Sequence, residues 1–278
     1  MGPMSEFKPL TLEEVAAAIP DGALLGVPAD YSGVPMAATR ALIARGARGL
    51  RLYCLPYTTI QGDMLIGAGC AESIEAAAVT LGEYGLAPRF TAAVESGALE
   101  MRDATCPALH AQLQATERAV PFMPLRGVIG SDILRHRPDW RVIESPFGNT
   151  PDPVLALPAV KLDVALFHAP YADRDGNVFI GRRRELATMA HAATKVYITV
   201  ERIVDESLYE TEAAAAGALP AFYIDGIAVA ENGAWPCGLT DVYPPDAEAL
   251  RAYAAAARTE AGFTAWLAEQ GLTPRSAA

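Results

Sequence analysis

The chain has 278 residues, 22 basic against 33 acidic, for a formal charge of −11 with histidine neutral. That balance excludes a general nucleic-acid binder, whose phosphate contacts need clustered Lys and Arg. At 51% hydrophobic and 20% charged, the sequence can bury a substantial core, which excludes global disorder.

The longest apolar runs, such as Val164-Ala165-Leu166-Phe167, fall far short of the roughly 20 residues of a membrane span. No apolar segment follows Glu6 and Lys8, so no signal peptide is expected, and the chain reads as cytoplasmic. Cys54, Cys70, Cys106 and Cys237 form no C-x-x-C pair and are expected to be buried small hydrophobes. Met1-Gly2-Pro3, followed by Met4, reads as a remnant of expression. Residues 1–5 are therefore expected as a disordered start, 6–272 as one domain and 273–278 as a tail.

Ala23–Val27 reads as a buried strand. Ser32-Gly33-Val34-Pro35 opens a helix whose apolar face is Val34, Ala38, Leu42 and Ile43, and Gly46 stops it. Leu50, Leu52 and Cys54 alternate as a strand does. Met64–Gly69 is expected as another short strand, and Ser73–Leu81 as a helix presenting Ile74, Ala77, Ala78 and Leu81. Thr105 is placed to cap a helix with Pro107 in its first turn and Leu109 and Leu113 four apart. Val164–Phe167 is a strand with no polar interruption, as in a sheet covered on both faces. Asp173–Asn177 is a turn, Glu185–Ala193 a helix and Val196–Val200 a strand. Asp246 caps one long last helix ending at Gly271. The alternation predicts a single α/β domain with a mostly parallel sheet flanked by helices, with Pro/Gly-rich excursions at 144–158 and 232–245.

The common catalytic signatures are missing: no G-x-S-x-G elbow, P-loop or H-E-x-x-H is present. His110, His136, His168 and His191 lie far apart in sequence, so each is read as structural and no metal is expected. Gly67-Ala68-Gly69 half-resembles a dinucleotide loop, but Glu72 stands where a third glycine belongs and would repel a pyrophosphate. Asp173 and Asp175 lack the closing Glu of a calcium loop and read as a tight turn.

Several ordered segments carry a resemblance. They are Gly33-Val34-Pro35-Met36-Ala37 with Leu42–Gly46, Leu50–Cys54 with Asp63–Gly69, and Gly85-Leu86-Ala87-Pro88-Arg89-Phe90. Val120–Gly127 with Gly130-Ser131-Asp132, His168–Gly181, Val200–Val204, Leu219-Pro220 and Gly233-Ala234-Trp235-Pro236 continue the series. Over about 30–240 the chain resembles the α subunit of family I CoA-transferases, in the branch that contains the α chain of glutaconate CoA-transferase. The resemblance implies transfer of CoA between an acyl-CoA and a carboxylic acid. It implies a nucleophilic glutamate from a separate β subunit, within an α2β2 assembly. CoA would enter as a thioester substrate, with no resident cofactor. Glu231-Asn232-Gly233 imitates the glutamate motif of the β half, but its register is that of an α-type loop, so Glu231 is not expected to attack.

A carboxylate is a poor nucleophile at neutral pH, so such a site must orient it and stabilise an oxyanion. Loops at the carboxyl ends of parallel strands supply the N–H groups, and two are present, Ala29–Gly33 and Leu55–Thr59. The acyl pocket is accordingly expected at Ser32, Gly33, Tyr57 and Thr58, with Arg126 available to pair with a carboxylate. Pro28-Ala29-Asp30-Tyr31 replaces the glycine-glycine-phenylalanine loop common among 3-oxoacid CoA-transferases, which leaves the acyl group open. Some relatives of the branch hydrolyse cyclic CoA thioesters through an α-subunit glutamate. Glu83 lies one residue later than that register and is the candidate base if the chain is a hydrolase. A non-catalytic small-molecule sensor on the same scaffold is the third reading, with no helix-turn-helix extension to support it.

Overall fold

The structure is a computed structural model that describes residues 7–147 and 151–272. The expectations for residues 1–5 and 273–278 lie outside the described residues. The first half contains α1 (Leu12–Ala18), β1 (Leu24–Pro28), α2 (Met36–Arg45), β2 (Leu50–Leu55), α3 (Ile60–Gly67), β3 (Ala71–Ala76), α4 (Pro88–Glu95), β4 (Glu100–Asp103) and α5 (Cys106–Glu117). Next come β5 (Phe122–Leu125), α6 (Ile133–His136), β6 (Arg141–Glu144), β7 (Pro153–Pro158), β8 (Leu162–Asp173) and β9 (Val178–Phe179). The remainder is α7 (Arg184–His191), β10 (Ala193–Val204), α8 (Glu212–Ala216), β11 (Ala218–Leu219), β12 (Gly226–Val229), α9 (Ala247–Ala256) and α10 (Glu260–Glu269).

Parallel strands run in the order β12-β10-β8-β1-β2-β3-β4. Their side chains alternate between two cores, as strand geometry requires. Leu25, Val27, Leu52, Cys54, Val164 and Leu166 face α1, α2, α3, α9 and α10. Tyr53, Leu55, Ala165 and Phe167 face α5 and α7. The fold is thus the α/β arrangement expected from the sequence, a mostly parallel sheet between helical layers. A small antiparallel sheet, β5-β7-β6, lies outside it and occupies part of the stretch expected as an excursion at 144–158.

Two expected elements exchange identity. Met64–Gly69 belongs to helix α3 and the turn after it, and 73–76 lie in strand β3. Every residue from Ile60 to Ile66 is buried, so the helix shows no polar face to set its period. In β3 the polar residues Ser73 and Glu75 are buried, and Glu75 binds the guanidinium of Arg137 at 2.7 Å. Gly67-Ala68-Gly69 therefore closes a helix rather than opening one. The last helix is two, since Thr259 accepts a hydrogen bond from Gly262 N and starts α10 afresh. Asp246 caps α9 as expected, accepting from Ala249 N. Cys106 corrects the cysteine reading: it is exposed at the start of α5, whereas Cys54, Cys70 and Cys237 are buried. Among the described residues no helix is long and apolar enough to cross a membrane.

Candidate active site

In a parallel sheet every strand delivers its following loop to the same edge, and ligands bind in the crevice there. The loops after β1, β2, β3 and β12 meet at that edge around a cavity of about 670 Å³. Asp30 and Tyr31 come from the first loop, Thr59 and Ile60 from the second, and Leu81 to Tyr84 from the third. Cys237 to Tyr243, apart from Leu239, come from the fourth, and Leu250 of α9 closes one side.

A buried polar cluster fixes two of these loops. His168 on β8 and Glu201 on β10 are neighbours, with Nε2 2.7 Å from Oε1. Against an ionised Glu201, Nε2 carries a proton, and Nδ1 stands 2.8 Å from the Thr199 hydroxyl. Glu201 also accepts from Asn232 N at 2.7 Å, Gly233 N at 3.2 Å and the Tyr243 hydroxyl at 2.6 Å. Burial opposes its charge, but these donors outweigh it and hold the carboxyl below the usual carboxylate range. Tyr243, a wall residue of the cavity, is pushed up by burial and by its bond to Glu201, and its oxygen accepts from Ala234 N at 3.0 Å. Burial, with Asp30 nearby, pushes the Cys237 thiol up to about 12, so it stays protonated at neutral pH.

Two glycines let the loops close on His168. Gly33 has φ +100°, and a Cβ there would stand 2.1 Å from the His168 carbonyl oxygen. Its own carbonyl accepts from His168 N at 2.8 Å. A Cβ on Gly233 would meet His168 Cε1 at 2.5 Å. Arg183 ties the same loops from behind, donating to the carbonyls of Tyr31 (3.3 Å) and Thr240 (3.4 Å).

The residues expected around an acyl group fall in different places. Ser32 is fully buried, and its hydroxyl donates to Glu185. Gly33 sits against β8. Thr58 is buried, and its hydroxyl accepts from Gly62 N at 3.1 Å, holding the start of α3. Tyr57 is half-buried, tilted against Tyr31, and its hydroxyl donates to Asp30, through which it reaches the cavity. Arg126 is exposed on β5's outer end and forms an ion pair with Asp152, beside the antiparallel sheet. Glu83 does line the cavity, exposed at its rim. Glu231 is exposed and is not among the lining residues. Asp30, Tyr31, Asp241 and Tyr243 line the cavity without having been singled out in the sequence. The strand-end rule that points to Ala29–Gly33 already covers the first two. The Pro/Gly-rich stretch 232–245 is the signal for the others.

Similarity to known proteins agrees with this architecture. The family model for coenzyme A transferase matches residues 10–230. The chain is 31% identical to the A subunit of the 3-oxoadipate CoA-transferase of Pseudomonas knackmussii, over 94% of this chain and 92% of the relative. It is 28% identical to a cholesterol ring-cleaving hydrolase IpdA subunit of Rhodococcus jostii, over 94% of this chain and 90% of that one. Among solved structures, a variant of the decarboxylase AibA/AibB matches with a TM-score of 0.81 and 31% identity, covering 95% of this chain and all of that one. Glutaconate coenzyme A-transferase from Acidaminococcus fermentans matches in fold with a TM-score of 0.85 at 23% identity, covering 94% of this chain and 88% of that chain. The chain belongs to the coenzyme A transferase family, among its A, or α, subunits.

Proposed function

We propose that the chain is the α subunit of a two-chain enzyme that moves CoA between an acyl-CoA and a carboxylic acid, with the attacking glutamate supplied by a β subunit. The observation that carries this reading is the state of the chain's own glutamates around the strand-end cavity. Glu201 is committed to four donors, Glu231 is not a wall residue, and Glu83, the one glutamate among the described lining residues, stands exposed at the rim. A subunit that builds the pocket and leaves the nucleophile to its partner fits that arrangement. The relatives whose names mark them as A subunits support a second chain, and we take the assembly to be α2β2 in the cytoplasm.

In the proposed reaction the partner's carboxylate attacks the thioester carbonyl, the C–S bond breaks and CoA leaves as thiolate. The thiolate then attacks the glutamyl carbonyl of the resulting anhydride, which frees the first carboxylic acid and leaves a γ-glutamyl-CoA thioester. A second carboxylate reverses both steps. Coenzyme A is thus a substrate, with no resident cofactor or metal in the scheme. This chain contributes the apolar and aromatic walls, with Tyr57 orienting Asp30, and Ser32, Gly33 and Thr58 fixing the loops.

One observation favours a second reading, a hydrolase acting on a cyclic acyl-CoA: Glu83 lines the cavity and is exposed, as a general base for water must be. Co-expression with the chain of the adjacent reading frame, followed by an acyl-CoA panel, separates the readings. Exchange of CoA onto an added carboxylate, retained in Glu83→Gln, supports the transferase. Hydrolysis abolished by Glu83→Gln supports the hydrolase. Release of carbon dioxide instead would place the chain with the decarboxylase it resembles and overturn both.

A further inference from the structure

The cavity has a charge pattern that bears on its substrate. Its walls carry three carboxylates, Asp30, Glu83 and Asp241, and among the described residues none that lines it is basic. Thr59 and Thr240 are the neutral hydroxyl residues of the wall, and most of the rest is apolar or aromatic, with Ile60, Leu81 and Leu250 among its members. Three arginines contact wall residues or their loops without lining the cavity. Arg183 is buried and donates to the carbonyls of Tyr31, Ile180 and Thr240. Arg40 donates to the carbonyl of Trp235 at 3.0 Å and lies over its ring, and Arg251 lies over the ring of Tyr84. Arg126, the one cation expected to receive an acyl carboxylate, is paired with Asp152 away from the cavity.

From this arrangement we infer that the acyl group taken by the cavity is uncharged at its far end. The inference rests on the reading of the chain as part of an acyl-CoA enzyme, and it names the substrate class of that site. A second carboxylate on the acyl chain would enter among three like charges, with no lining cation among this chain's described residues to offset them, and like-charge juxtaposition disfavours binding strongly. An aliphatic acyl chain and the neutral pantetheine arm meet no such opposition. A volume of about 670 Å³ lies within the usual size of a small-molecule site.

The test uses the two-chain complex and a pair of thioesters matched in carbon number, valeryl-CoA and glutaryl-CoA. The glutaryl arm stands for the dicarboxylate class to which 3-oxoadipate belongs. The expected result is a kcat/KM for valeryl-CoA higher by at least about tenfold. A double variant, Glu83→Gln with Asp241→Asn, should move that ratio toward glutaryl-CoA by roughly the same factor. Both side chains are exposed, and Asn tolerates the left-handed backbone of residue 241 (φ +66°), so folding is not at issue. Equal or better use of glutaryl-CoA overturns the inference and leaves the acyl-CoA reading standing. Failure to bind or turn over either thioester, measured by calorimetry and by assay on the same complex, removes that reading and the inference with it.

Discussion

His168 and Glu201, 2.7 Å apart on adjacent parallel strands, join the core of the sheet to the loops that wall the cavity. Gly33 packs against the His168 carbonyl and Gly233 against its ring, and the carboxylate accepts from the backbone of 232 and 233 and from Tyr243. Neither residue lines the cavity itself, yet Glu201 holds the wall residue Tyr243 and the backbone of 232 and 233 in place.

Glu201→Gln tests this anchor. The amide can accept on one side only and turns an N–H toward the donors of Asn232, Gly233 or Tyr243, so the variant should lose roughly 2 kcal/mol of stability at neutral pH. The native carboxyl has a lower pKa folded than the unfolded value of about 4.3. Its contribution is therefore full above that value and is lost as pH falls through the folded one. Urea midpoints of the two proteins should keep a constant gap from neutral pH to about 5 and converge below about 4. A gap that persists into acid would mean that packing, not the charge, is what the variant removes.

Gly33→Ala tests the close approach to β8. The backbone there has φ +100° and the new Cβ would meet a carbonyl oxygen, which cannot rotate away as a side chain could. A loss of more than about 3 kcal/mol is expected. Gly97 also has positive φ, +74°, but nothing lies within 4 Å of its would-be Cβ. Gly97→Ala should cost only about 1–2 kcal/mol, from the left-handed backbone alone. Equal losses in thermal or urea unfolding would show that the contact with His168 contributes nothing.

Tyr57→Phe and Thr58→Ala should part company. Tyr57 donates to Asp30, a wall residue, so its loss should lower kcat/KM for an acyl-CoA by about tenfold, the worth of one hydrogen bond, with little change in melting. Thr58 supports the first turn of α3, so its loss should cost about 1 kcal/mol of stability and leave kcat near native. A large drop in kcat for Thr58→Ala at native stability would instead put its hydroxyl on the substrate, as the strand-end position of its loop suggests.

What can be read from the sequence follows from how each element meets its surroundings. β1, β2, β8 and β10 are legible because their apolar runs are short and bounded by turn residues. Helix α2 is legible from its one-sided face and Gly46, which takes the left-handed cap at φ +72°. α3 and β3 are not, since a helix buried all round loses its period, and Glu75 is a carboxylate kept inside by Arg137, far away in sequence. The antiparallel sheet is hidden by Pro124, Pro153 and Pro158, residues that argue against a strand unless they fall at edges or ends, as these do. At the candidate site, the strand-end rule points to loops that wall the cavity. It cannot find which side chains of those loops face the cavity, because that depends on bonds such as Ser32 to Glu185 and Thr58 to Gly62.

The division of labour between two chains is the centre of the account, and the covalent intermediate tests it most directly. The co-purified complex would be loaded with an acyl-CoA, treated with borohydride or hydroxylamine and digested for mass spectrometry. The account predicts a reduced or hydroxamate-bearing glutamate on the partner chain and none on Glu83, Glu201 or Glu231. A modified glutamate on this chain, or steady thioester turnover by this chain alone with no trapped species, would contradict it.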